Sequence, residues 1–140
     1  MKKIINKIAK RKYSIGETLE AGVVLTGAET KAIKTRGIEL RDAFVRTKGS
    51  ETFLVNAIIH PYPFARREDQ EPSRERKLLL KESEIKRLLG IRKAKLTIIP
   101  LACYTKGRWI KIQLGVGRRK GKKQRKRDLI EKELSKKGMY

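Results

Sequence analysis

Residues 18–36 read TLEAGVVLTGAETKAIKTR, and the change of rhythm inside this stretch decides the fold class. TLEAGVVLT (18–26) is β-branched and apolar and is entered from a polar segment, which predicts a strand. Gly27 punctuates it. AETKAIKTR (28–36) then reads as a short helix ending at Gly37, a residue type favoured just past a helix C-terminus. Leu25, Ala28, Ala32 and Ile33 can face inward, while Glu29, Lys31, Lys34 and Arg36 remain polar.

Working outward, ELRDAFVRT (39–47) is expected as a strand, Lys48-Gly49-Ser50-Glu51 as a hairpin turn and TFLVNAIIH (52–60) as the return strand. From residue 61 to 77 the pattern fails: PYPFARREDQEPSRERK holds three prolines, many charges and no apolar period. Loops of this length inside compact domains are uncommon and usually functional or disordered. LLLKESEIKRLLG (78–90) resumes as an amphipathic helix, with Leu80, Ile85, Leu88 and Leu89 as its core stripe, a cap at Ser83 or earlier, and Gly90 at its end. KLTIIPLACYT (95–105) is a strand whose Pro100 demands an edge or a bulge. Lys106-Gly107 turns the chain. RWIKIQLGVG (108–117) alternates Trp109, Lys111 and Gln113 on one face with Ile110, Ile112 and Leu114 on the other. About five strands, two helices and mostly hairpin links predict an antiparallel, mainly β, α+β domain. A small closed barrel would best protect its edges. MKKIINKIAKRK at the start reads as a basic arm.

The chain carries 37 Lys+Arg against 15 Asp+Glu, a formal net charge of +22 on 140 residues. Such self-repulsion calls for a polyanion, and nucleic acid is the expected one. The charge concentrates in RRKGKKQRKR (118–127), which cannot bury itself. The expected organisation is a barrel domain over residues 1–117 and a basic tail over 118–140, disordered when free. DLIEKELSKKGMY (128–140) has only a weak helical pattern, too little to hold a helix alone in water. One cysteine, Cys103, excludes an internal disulfide and offers no zinc spacing. No signal-peptide core or long apolar run is present, so a cytoplasmic protein with no membrane partner is expected.

Arg66, Arg67, Arg74, Arg76 and Lys77 lie in or beside the long loop together with Tyr62 and Phe64, a composition that stacks on and clamps RNA. Lys31, Lys34 and Arg36 share one short helix, which suits phosphate contact. Glu29 reads either as a solvated carboxylate at a helix start or as an acceptor for ribose and base edges, or an orienter of nearby Lys and Arg. Trp109 reads either as packing on the barrel or as stacking on a base. His60 is a lone histidine at a strand end with no nucleophile in evident reach, and Cys103 reads as core. There is no phosphate-binding glycine loop, no metalloprotease motif and no nucleophile–histidine spacing, so no enzyme, cofactor or metal site is expected.

The same residues resemble those of a known family. EAGVVLTGAETKAIK (20–34) is close to EAGIVLTGTEVKSLR, a hallmark of the SsrA-binding proteins, also called small protein B. Asn6, Lys7, Ala9 and Tyr13 match the family's N-terminal pattern, and Asn56 with Pro61-Tyr62 matches its second strand and turn. Pro72, Arg74, Arg76, Lys77 and Leu78-Leu79-Leu80 match a Pro-x-Arg-x-Arg-Lys-Leu-Leu-Leu run, followed by Glu84, Ile85, Arg87 and Leu88. Leu96-Thr97, Pro100-Leu101, Tyr104, Lys106, Gly107 and Lys111 match the last two strands. The chain departs from the family in having Ile58 where His is frequent, His60 where Ser is frequent and Arg125 in place of an Asp.

The resemblance implies a bacterial, cytoplasmic, monomeric, non-enzymatic protein with an oligonucleotide-binding-type barrel. It implies binding to the tRNA-like domain of transfer-messenger RNA and delivery of that RNA to ribosomes stalled on messages lacking a stop codon. The RNA-binding residues are then expected to be Asn6, Lys7, Glu29, Lys31, Lys34, Arg36, Tyr62, Arg66, Arg67, Arg74, Arg76 and Lys77. Arg118, Arg119, Lys120, Lys122, Lys123, Arg125, Lys126 and Arg127 would carry the tail into the ribosome's vacant messenger channel and decoding site, where it becomes helical against ribosomal RNA. A generic ribosomal or nucleoid structural protein, or an RNA-modifying enzyme on the same barrel, are the alternatives that charge alone would allow.

Overall fold

The structure, a computed structural model, describes residues 2–66, 70–93 and 96–121. Arg67, Lys122, Lys123, Arg125, Lys126, Arg127 and the 128–140 segment lie outside the described residues, as does the side chain of Leu89.

Among the described residues the chain runs β1 (Ile4–Ile5), α1 (Lys7–Lys12), β2 (Tyr13–Val23), α2 (Gly27–Arg36), β3 (Phe44–Lys48), β4 (Glu51–Val55), β5 (Arg76–Leu79), α3 (Glu82–Lys93), β6 (Thr97–Lys106) and β7 (Trp109–Arg119). The strands form one antiparallel sheet in the order β1-β6-β7-β2-β5-β4-β3. The mainly β, antiparallel reading holds. The hydrogen-bond ladder does not close, however: β1 and β3 end it, and β3 packs against β6 without a ladder between them. No helix among the described residues is long and apolar enough to cross a membrane.

The strand-to-helix switch that opens the sequence reading is where the core forms. Ala21 from β2, Ala32 and Ile33 from α2, Leu54, Leu78, Leu88, Ile112 and Leu114 are buried together. The alternation of β7 puts Ile110, Ile112 and Leu114 inside and leaves Trp109 exposed. In β6 both faces are apolar, so it needs cover on both sides. Ile98 and Cys103 enter the main core, while Ile99 and Leu101 meet Ala9 of α1 in a second cluster that Tyr13 and Ile15 flank. Pro100 does mark a bulge, with the β6–β7 register shifting between Pro100 and Ala102. Both expected hairpin turns are present, with Gly49 at φ 62° and Gly107 at φ 62°.

Five expectations need correction. The N-terminal segment is not an arm: Ile4 and Ile5 pair with Cys103 and Ala102, and α1 covers the outer face of β6. Its sequence shows too little apolar period to announce this. The segment is held by Asn6, whose buried amide donates to the carbonyls of Leu40 and Pro100, both at 2.9 Å, while its Oδ1 caps α1. Residues 39–47 are a strand only from Phe44; Leu40 and Ala43 enter the core through a turn. The return strand stops at Val55, because Asn56 adopts φ 61°, and beyond it Ile58 only bridges Glu39. Leu78 and Leu79 begin no helix. They end β5, paired with β2 and β4, and α3 starts at Glu82, whose following turn is capped by Glu84 accepting the N–H of Lys81 at 2.9 Å. Gly90 lies inside that helix rather than ending it.

Candidate nucleic-acid interface

The helix α2 is fixed at its first turn. Thr26 accepts the Glu29 N–H at 3.1 Å and Glu29 accepts the Thr26 N–H at 3.0 Å, a reciprocal capping box. The carboxylate of Glu29 has further work. Its second oxygen accepts from Arg76 Nε at 2.7 Å, and Arg74 pairs with the first. Glu29 is 5% exposed and Arg76 0%. So the solvated-carboxylate reading of Glu29 is overturned, and it orients arginines instead. Burial pushes the Glu29 carboxyl up, but the Thr26 N–H, Arg76 and Arg74 together outweigh it and hold it below its ordinary value. Burial likewise lowers the Arg76 guanidinium, which Glu29 opposes.

Arg76 also donates to the carbonyls of Ala57 at 2.8 Å, Pro72 at 3.0 Å and Glu71 at 3.1 Å. One guanidinium therefore joins α2, the segment after β4 and the end of the long loop. That loop is organised where it is described. Gln70 accepts the Tyr62 N–H at 2.6 Å and donates to the carbonyls of Tyr62 and Arg66. The ring of Tyr62 meets Phe64 edge-on, with centroids 5.5 Å apart, and Lys31 Nζ lies 5.9 Å from the Tyr62 centroid. Arg36 reaches the Pro61 carbonyl at 3.5 Å. Phe64 is 87% exposed.

The structure thus brings Lys31, Arg36, Tyr62 and Phe64 together beside α2, with Lys34 exposed on the same helix and Arg66 exposed on the loop. Lys77 is exposed on β5 and pairs with Glu51 at 3.7 Å. Lys7 stands apart on α1. It lines a hollow of about 450 Å³ with Arg11, Arg41 and Glu39, and a smaller one beside it is lined by Glu39, His60 and Arg36. Asn6, Glu29 and Arg76 have their polar groups engaged inside the domain. Arg118 and Arg119 belong to β7, paired with Ser14 and Tyr13, and the Lys120 N–H donates to the Lys12 carbonyl at 2.8 Å. The β-ladder thus runs two residues past the expected boundary. Sequence reasoning missed Arg41, whose place beside Lys7 no local pattern signals.

His60 sits 3.3 Å from Glu39 on the surface, and burial pushes the Cys103 thiol up to about 12, which makes it a poor nucleophile.

Known proteins share this arrangement of chain. The profile of the SmpB protein family matches residues 3–139. An SsrA-binding protein of Persephonella marina is 42% identical over 130 residues, covering 92% of this chain and 86% of that protein. One of Aquifex aeolicus is 43% identical over 131 residues, covering 92% and 83%. A solved structure described as "tmRNA-SmpB: a journey to the center of the bacterial ribosome" superposes with a TM-score of 0.71 at 37% identity, covering 86% of this chain and 85% of that one. With sequence and backbone agreeing over most of its length, the chain belongs to the SmpB protein family.

Proposed function

We propose that this protein binds the tRNA-like domain of transfer-messenger RNA and delivers it to stalled ribosomes, so that incomplete chains are tagged and released by trans-translation. The observation that carries this is the match over 92% of the chain to relatives named for binding SsrA, reinforced by a structural neighbour described in a tmRNA–ribosome context. It acts by binding rather than by catalysis, as a cytoplasmic monomer. The curl that sets β3 against β6 supports a barrel of the oligonucleotide-binding type.

The exposed cations beside α2, Lys31, Lys34, Arg36 and Arg66, suit the RNA-facing role together with half-buried Tyr62, with Arg74 and Lys77 flanking them and Lys7 on the adjoining face; Arg67, outside the described residues, belongs to the same proposed set. Asn6, Glu29 and Arg76 serve the same interface from within, by holding α1, α2 and the loop in register. The segment after the sheet, beginning near Lys120, is the part that enters the ribosome's messenger channel. Affinity capture of the protein from bacterial extract, with sequencing of the bound RNA, is expected to enrich transfer-messenger RNA above ribosomal RNA. Recovery of RNA in proportion to abundance would instead mark a generic basic RNA binder.

A further inference from the structure

The sheet ends at β1 in an unpaired edge, and a hollow opens beside it. The Asn6 N–H donates to the Leu101 carbonyl at 2.8 Å, and the register sets Ile4 opposite Cys103 and Ile5 opposite Ala102. Bonded and non-bonded pairs alternate along an antiparallel ladder. Ile5 is therefore in a non-bonded pair, with its N–H and C=O turned away from β6, and no strand lies beyond β1 among the described residues. Ile5 is 42% exposed. The hollow of about 450 Å³ beside Lys7 lies between this edge and residues 38–41. Ile4, Ile5, Ile8 and Ile38 give it aliphatic walls. Lys7, Arg11 and Arg41 line it with exposed residues, against one carboxylate, that of Glu39. Asn6, Ile8 and Arg41 are shared with a second hollow of about 250 Å³, which reaches Asp42 and Phe44.

A free ladder edge, an aliphatic pit and net positive walls suit an extended segment that is both acidic and aliphatic. Nucleic acid fits worse. Single strands are held by stacking on aromatic rings, and among the described residues no aromatic ring lines the hollow beside Ile5. Glu39 and Asp42 also interrupt the track of cations. That penalises a backbone with a charge at every unit, but not a peptide that can space its carboxylates. We propose that this edge docks an extended acidic segment of a partner protein. One residue of the segment pairs with the Ile5 N–H and C=O as an added strand. An aliphatic side chain enters the hollow, and flanking carboxylates meet Arg11 and Arg41. The RNA-facing residues beside α2 take no part, so partner and RNA are bound together.

The probe is a fluorescein-labelled peptide alternating Asp or Glu with Val or Ile, added to the full chain. Its charge-matched control alternates the same acids with Gly. Anisotropy gives the affinity, and amide exchange followed by NMR gives the location. Slowed exchange at Ile5 is expected, with weaker binding of the control by roughly tenfold and a similar loss in Arg11→Glu. Ile5→Pro removes the outward N–H, leaves the bonds to β6 in place, and should lower affinity likewise; Arg11→Glu keeps the test standing where Ile5→Pro disturbs β1. Peptide binding that persists at saturating RNA supports the site. Unchanged exchange at Ile5, or equal affinity for the two peptides, assigns binding to diffuse attraction by a chain of net charge +22 and overturns it. Displacement of the peptide by the tRNA-like domain of transfer-messenger RNA, with the same protection at Ile5, gives the edge to RNA and overturns it too. Tighter peptide binding in Leu129→Ser makes the chain's own 128–134 segment the occupant and overturns the partner.

Discussion

Replacing Glu29 by Gln takes one charge from a pair that almost no water reaches, and leaves Arg76 buried without its counter-ion. Breaking a buried pair in this way costs roughly 3–5 kcal/mol, to be read from urea denaturation; a loss below ~1 kcal/mol would mean the pair is solvated in solution. The pH dependence has a definite sign. The folded carboxyl titrates below its ordinary value of 4.5, so the unfolded chain takes up the proton first. The stabilisation is complete above about pH 4.5 and is lost as pH falls through the folded value. Glu29→Gln should flatten that acid limb, which denaturation midpoints from pH 6 to 3 would show. Cys103 gives an independent check at the same scale. With its thiol pushed up to about 12 by burial, it should resist aromatic disulfide reagents in the native protein at pH 8 and react at once in urea. Rapid stoichiometric labelling without denaturant would contradict its place in the core. The core assignment of Cys103 was legible from its apolar neighbours. The role of Glu29 was legible only as one of three options, because Arg74 and Arg76 are 45 and 47 residues away in sequence.

At the scale of elements, the junction after α2 is the most constrained. Gly37 has φ 86° and ψ −167°, a region that side-chain-bearing residues scarcely enter, and a Cβ there would lie 3.2 Å from Ile4 Cδ1. Gly37→Ala should cost about 1–3 kcal/mol and disturb the β1–β6 pairing, visible as faster amide exchange at Ile4 and Ile5 than at β7. Equal exchange in the variant and the wild type would deny the link. The helix stop at Gly37 was readable from residue type. The partner that makes the glycine strict, Ile4, was not. The same contrast runs through the 78–80 leucines. A short apolar run is compatible with helix or buried strand, and periodicity alone does not separate them; pairing with β2 and β4 on either side settled Leu78 and Leu79 as the end of β5.

For the whole molecule, charge governs association. Each Lys or Arg that meets a phosphate releases counterions, so log affinity should fall with log salt by roughly 0.7–0.9 per contact. Joint replacement of Lys31 and Lys34 by Ala should reduce the slope by about two contacts; binding curves that superimpose across salt would argue against phosphate contact altogether. The sheet also sets where the tail can be cut. Removal of everything after Gly117 deletes Arg118 and Arg119 from their ladder with β2, whereas a stop after Gly121 leaves it whole. The longer form should keep wild-type stability and RNA affinity while losing tagging on stalled ribosomes. Loss of RNA binding in that form would mean that residues 122–140 belong to the RNA-binding unit.

By itself the sequence determined what depends on neighbours in the chain. That includes the β2–α2 switch, both glycine turns, the alternating faces of β7, the Pro100 bulge, and the basic character that calls for RNA. The ordered motifs also pointed to the family. Tertiary structure decided whatever depends on a distant partner. It turned the N-terminal arm into β1 and α1, because the carbonyls of Leu40 and Pro100 and the bare outer face of β6 were there to receive them. It left the ladder open where closure had been expected. It also buried three of the residues expected to face RNA. Asn6, Glu29 and Arg76 look like surface polar groups in sequence, but a polar group can leave water when another part of the chain supplies its hydrogen bonds, and no local pattern reveals that supply.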